Sequence, residues 1–111
     1  MNVTYSPKAR QWGEGYALLQ HAMQRLEEVA GPSGVSVSAE WDRGEDERRR
    51  TLYTLKIRDL TGEASATFTW DELESKKDMR GRLLHLWGDL LQDRSHKLLK
   101  KLTEGNDESE A

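Results

Sequence analysis

The chain has 111 residues, of which 33% are charged and 35% hydrophobic, so its core must come from well-patterned stretches. That length fits one domain with one core, and the absence of cysteine excludes disulfides, thiol nucleophiles and thiolate metal sites. No apolar run approaches the roughly 20 residues that span a bilayer and no secretory leader is legible, so a cytoplasmic protein with no membrane partner is expected.

Ser6-Pro7 reads as a helix start, with serine as N-cap and proline at the first helical position. Trp12, Tyr16, Leu19, Met23, Leu26 and Ala30 recur at steps of three and four, and Gly31-Pro32 ends the run. Gly13 and Gly15 weaken the first two turns, so the helix is firm only from about Tyr16. After Gly34 the period drops to two. Val35, Val37, Ala39 and Trp41 alternate with polar residues, as do Tyr53, Leu55 and Ile57, then Ala64, Ala66, Phe68 and Trp70 after a turn at Thr61-Gly62. Three strands with short connections predict an antiparallel meander, since parallel pairing needs a crossover. One sheet face is apolar; the other is rich in serine and threonine, with no aromatic platform for stacking bases.

Thr69-Trp70-Asp71-Glu72 has the form of a capping box. A second helix follows, with Met79, Leu83, Leu84, Leu86, Trp87, Leu90 and Leu91 as a broad apolar face that continues through Leu98 and Leu102. At 1.5 Å per residue such a helix is on the order of 40 Å long, longer than any seven-residue strand at about 23 Å. Its end should overhang the sheet, so Leu98 and Leu102 need cover from the first helix or from a second copy of the chain, which makes them a candidate interface, and Arg94 on its apolar side needs an acceptor. The reading is an α+β fold of helix, three-stranded antiparallel meander and helix, both helices on one sheet face. It forms a single domain over 1–103, followed by a disordered acidic tail over 104–111.

Charge is distributed unevenly. Residues 104–111 hold Glu104, Asp107, Glu108 and Glu110 and no base, leaving 17 bases and 16 acids in residues 1–103. Residues 76–102 hold eight bases and three acids. Two basic groups stand out: Arg48, Arg49 and Arg50 at the end of the first hairpin loop, and Lys76, Lys77 and Arg80 at the start of the second helix, where Arg82 follows in the same turns. They are the candidate binding residues for an anionic partner.

The chain shows no catalytic set. His21, His85 and His96 lack the spacing of helical metal ligands, and there is no phosphate loop, nucleophile elbow or His-Glu-x-x-His motif. Asp59 and Glu63 approach the acid pattern of a metal nuclease, but no lysine follows Glu63 in the required place. A non-enzymatic module without cofactor is expected.

The order of elements resembles the double-stranded RNA-binding domain. Ser75-Lys76-Lys77-Asp78-Met79-Arg80 is similar to that family's second-helix opening, Ser-Lys-Lys-x-Ala-Lys, with Leu83, Leu84 and Trp87 where the family has small residues. Tyr53 and Ile57 stand in the places of a phenylalanine and a valine four apart on that family's second strand. Its hairpin loop carries Gly-Pro-x-His, whereas this chain has Asp46-Glu47-Arg48-Arg49. The resemblance implies phosphate contacts by Lys76, Lys77 and Arg80. The residues themselves support protein interaction or a homodimer first, and binding of duplex RNA or DNA as the alternative.

Overall fold

The structure is a computed structural model. It describes residues 1–11 and 13–110, with side chains up to Thr103. Trp12, expected on the first helix's apolar face, lies outside the described residues, and so does the acidic tail for anything beyond its backbone course.

Ser6 caps a first short helix, α1 (Pro7–Arg10), its hydroxyl accepting from the Ala9 amide at 3.2 Å. The long first helix, α2 (Gly13–Ala30), buries Leu19, Ala22, Met23, Leu26 and Ala30, the face its spacing predicts. It ends at Gly31, whose φ of +58° suits a residue without Cβ. A 3₁₀ turn (Gly31–Gly34) follows, and the Val35 and Val37 amides donate back to Pro32 and Gly34. This turn corrects the strand expected from Val35: the strand starts only at Ser38, and Val35 is exposed.

The sheet is four-stranded and mixed rather than three-stranded and antiparallel. Strands β2 (Ser38–Glu45), β3 (Thr51–Arg58) and β4 (Glu63–Phe68) pair antiparallel in sequence order, as the alternation predicts. The added strand is β1 (Asn2–Tyr5), parallel to β2 with Val3 opposite Ala39 and Tyr5 opposite Trp41. The crossover that parallel pairing requires is the α1–α2 segment itself. Met1, Val3 and Tyr5 point their alternate positions at the core, and the Tyr5 ring lies 4.8 Å from that of Tyr16 on α2.

The second helix is broken. The capping box is formed, with Thr69 Oγ1 accepting from the Glu72 amide and Glu72 Oε1 accepting from the Thr69 amide. It opens only a short helix, α3 (Trp70–Glu74), because Ser75 is extended at φ −82°, ψ 106°. Ser75 then caps α4 (Lys76–Glu110), its hydroxyl accepting from the Asp78 amide at 3.3 Å.

One core joins α2, α4 and one sheet face: Leu19, Met23 and Leu26 meet Trp41, Tyr53, Leu55, Ile57 and Phe68, with Met79, Leu83, Leu86, Trp87 and Leu90. Trp41 and Trp87 are buried, and Trp70 packs at the edge with its ring 6.4 Å from that of Tyr53. The opposite sheet face carries Thr54 facing Thr67, and the ion pairs Arg58–Glu40 and Lys56–Glu63. This is the polar face the alternation predicts.

Candidate interaction surface

Helix α4 is clamped to the sheet at both ends of their contact. Near its start, the Arg82 guanidinium pairs with Glu72 and lies 4.4 Å over the Phe68 ring. The hydrogen bond from the Thr69 amide, aided by Arg82, holds the Glu72 carboxyl below its usual range. Further along, the β3–β4 turn docks on α4. Asp59 accepts from the Thr61 and Gly62 amides, both at 2.8 Å, and pairs with Arg94, so the acceptor that Arg94 requires is Asp59. Burial pushes the Asp59 carboxyl up, but those amides and the Arg94 guanidinium outweigh it and hold the group low. Asp93 accepts from the Glu63 amide at 2.8 Å and pairs with Lys97 at 3.0 Å. Gly62 sits so close that a Cβ there would lie 3.0 Å from the Arg94 nitrogen. Arg82 and Arg94 are therefore structural members of the basic segment.

Past this clamp, α4 is uncovered. Leu98 and Leu102 are 46% and 67% exposed, as the overhang predicts. Leu84 and Leu91, expected within the apolar face, are 49% and 38% exposed. The reason is width: Met79, Leu83, Leu86, Trp87 and Leu90 already fill the stripe that meets the sheet and α2, and Leu84 and Leu91 lie on its flank. The four leucines form one line along the helix, because 84, 91 and 98 are separated by seven residues and 102 follows by four.

At its basic end this line enters a cleft between α2 and α4. Three adjoining hollows of about 590, 380 and 520 Å³ share Arg25, and between them they hold His21, Lys76, Lys77, Arg80 and Leu84. The Arg25 guanidinium donates to the Lys76 carbonyl at 3.1 Å, tying the helices together across the mouth. Glu28 and Glu74 are the acids on the rim. The structure thus brings Lys76, Lys77 and Arg80 together on one exposed surface and adds Arg25 and His21. No local pattern marks those two in the sequence, since a polar residue on a helix edge gains a role only from what faces it.

The hairpin arginines lie elsewhere. Asp46 organises the β2–β3 loop: its carboxylate accepts from the Arg48 and Arg50 amides and from Arg50 Nε at 2.8 Å. Those bonds, from the Arg50 amide first, hold Asp46 below the usual carboxylate range. Arg50 is thereby neutralised within the loop, and Arg49 adopts φ +61° at its tip. Among the described residues, Arg48 and Arg49 make no ion pair. Because Tyr53 is opposite Phe68, this loop and α3 stand at the same end of the sheet.

Among the described residues no group of three or more His, Asp or Glu side chains could hold a metal ion, and no helix is long and apolar enough to cross a membrane. Compared with protein-family models, with curated proteins and with solved structures, the chain matches none.

Proposed function

We propose that the chain is a small, non-enzymatic interaction module that self-associates through the exposed flank of α4. The carrying observation is the line of Leu84, Leu91, Leu98 and Leu102, each more than a third exposed on a helix that buries Met79, Leu83, Leu86, Trp87 and Leu90 and leaves Leu99 exposed beside the line. Scattered surface leucines need no explanation, but an aligned row at coiled-coil spacing is a partner face. The cysteine-free composition fits action in the reducing cytoplasm.

Covering a half-exposed leucine is worth about 1 kcal/mol, and in a symmetric pair each substitution counts twice. Leu98→Glu therefore weakens association by at least about thirty-fold. Light scattering tests this at tens to hundreds of micromolar. The expected result is a concentration-dependent molar mass that Leu98→Glu abolishes; a monomer throughout removes the self-association reading.

One observation favours a second reading, duplex nucleic-acid binding in the manner of the double-stranded RNA-binding domain. Lys76, Lys77 and Arg80 open α4 and are joined by Arg25 on an accessible cleft. In that reading Arg48 and Arg49 approach a neighbouring groove. Titrating duplex RNA and DNA at two salt concentrations decides it. Binding that weakens steeply with salt supports phosphate contact, and no binding at low salt ends it.

A further inference from the structure

Resting on the self-association reading, we infer that the two copies pair through antiparallel α4 helices, with Leu84 of one against Leu102 of the partner subunit. The flank of α4 holds two series at intervals of seven: Leu84, Leu91 and Leu98, and beside them Gly81, Gly88, Ser95 and Leu102. They alternate at steps of three and four, which makes one seam. In an antiparallel pair each series meets the other. With Leu84 against the partner's Leu102, Leu98 falls on the partner's Gly88 and Leu91 on the partner's Ser95. A large residue then meets a small one in every inner layer, and the helices approach closely. A parallel, in-register pair stacks Gly88 on the partner's Gly88 and leaves a void there.

Gly88 supports this arrangement from inside the monomer. A Cβ built on it has nothing within 4 Å, so its own chain gives it no steric reason to be glycine. Mid-helix glycine nevertheless disfavours the helix relative to alanine.

Charge selects the same direction independently. Lys76, Lys77 and Arg80 lie on exposed positions at the start of α4, beside Arg25 in the cleft, whereas Glu104, Asp107, Glu108 and Glu110 follow Thr103 without a base. Antiparallel pairing brings the acidic end of one copy to the basic start of the other. Parallel pairing sets like charge against like at both ends. The cleft opens at Leu84, where the partner's helix end arrives.

The cysteine-free chain permits a direct test with Leu84→Cys and Leu102→Cys, both at exposed positions where the fold tolerates change. A disulfide needs Cα atoms about 4.4–6.8 Å apart. In the antiparallel pair the two copies of position 84 are separated by about 27 Å of helix. Under mild oxidation each variant alone stays uncrosslinked, and the mixture yields a linked pair containing one of each. Raising the salt concentration lowers that yield. Crosslinking of Leu84→Cys alone overturns the antiparallel arrangement. So does the absence of a linked pair in the mixture while light scattering still reports a dimer, an outcome that leaves self-association standing. A chain monomeric by light scattering instead removes the reading on which the arrangement rests.

Discussion

Asp59 joins a turn of the sheet to a helix. Its carboxylate is 8% exposed, closes the β3–β4 turn through two amides and fixes α4 through Arg94. Its folded-state pKa lies below its unfolded value, so it contributes stability that is present above the ordinary carboxylate range and lost as pH falls through the folded value. Glu72 acts in the same direction. Stability measured by urea unfolding is therefore expected to decline as pH drops below about 4, and Asp59→Asn to lower it by about 1–3 kcal/mol at neutral pH while flattening that decline. Equal pH slopes for the two proteins would remove Asp59 from this role. Tyr53 makes the opposite case. Its hydroxyl is enclosed without a hydrogen-bond partner among the described residues, and burial raises its pKa. Removing a buried, unsatisfied hydroxyl relieves a desolvation cost of about 1–3 kcal/mol, so Tyr53→Phe is expected to be neutral or stabilising in the same assay. A loss above about 1 kcal/mol contradicts the unsatisfied hydroxyl.

At the level of elements, the parts legible in the sequence are those whose periodicity runs for several repeats. The end of α2 at Gly31, the three strands of the meander and the Thr69–Glu72 box all follow from spacing and capping chemistry. Strand β1 is not legible because four residues hold too few alternations, and its pairing partner lies more than thirty residues on in the chain. The break at Ser75 is equally silent: a serine there serves as readily within a capped start as at a helix end. The exposed flank of α4 is half legible. Apolar positions spread around more than one face show that the helix is broadly apolar, but which flank the sheet and α2 leave bare depends on their placement. Gly88 tests that flank as an element. Gly88→Ala is expected to raise the monomer's thermal stability by up to about 1 kcal/mol through helix propensity, and to weaken association because a methyl group enters the seam. A gain in stability with association unchanged would separate Gly88 from the interface.

Over the whole molecule, the distribution of covered and uncovered surface sets the functional reading. The open sheet face is occupied by cross-strand ion pairs and threonines, the β2–β3 loop is stitched by its own Asp46, and among the described residues α4 alone offers an aligned apolar row. Lys76, Lys77 and Arg80 were visible as a basic helix start, while Arg25 and His21 became part of their cleft only through the packing of α2 beside α4. The most direct measurement is backbone hydrogen exchange on the intact chain in dilute and concentrated solution. Amides of α4 between Leu91 and Thr103 are expected to exchange more slowly at high concentration, while those of β3 and of the middle of α2 keep their rates. Identical exchange along α4 at both concentrations, or concentration-dependent protection on the open sheet face instead, would contradict the account.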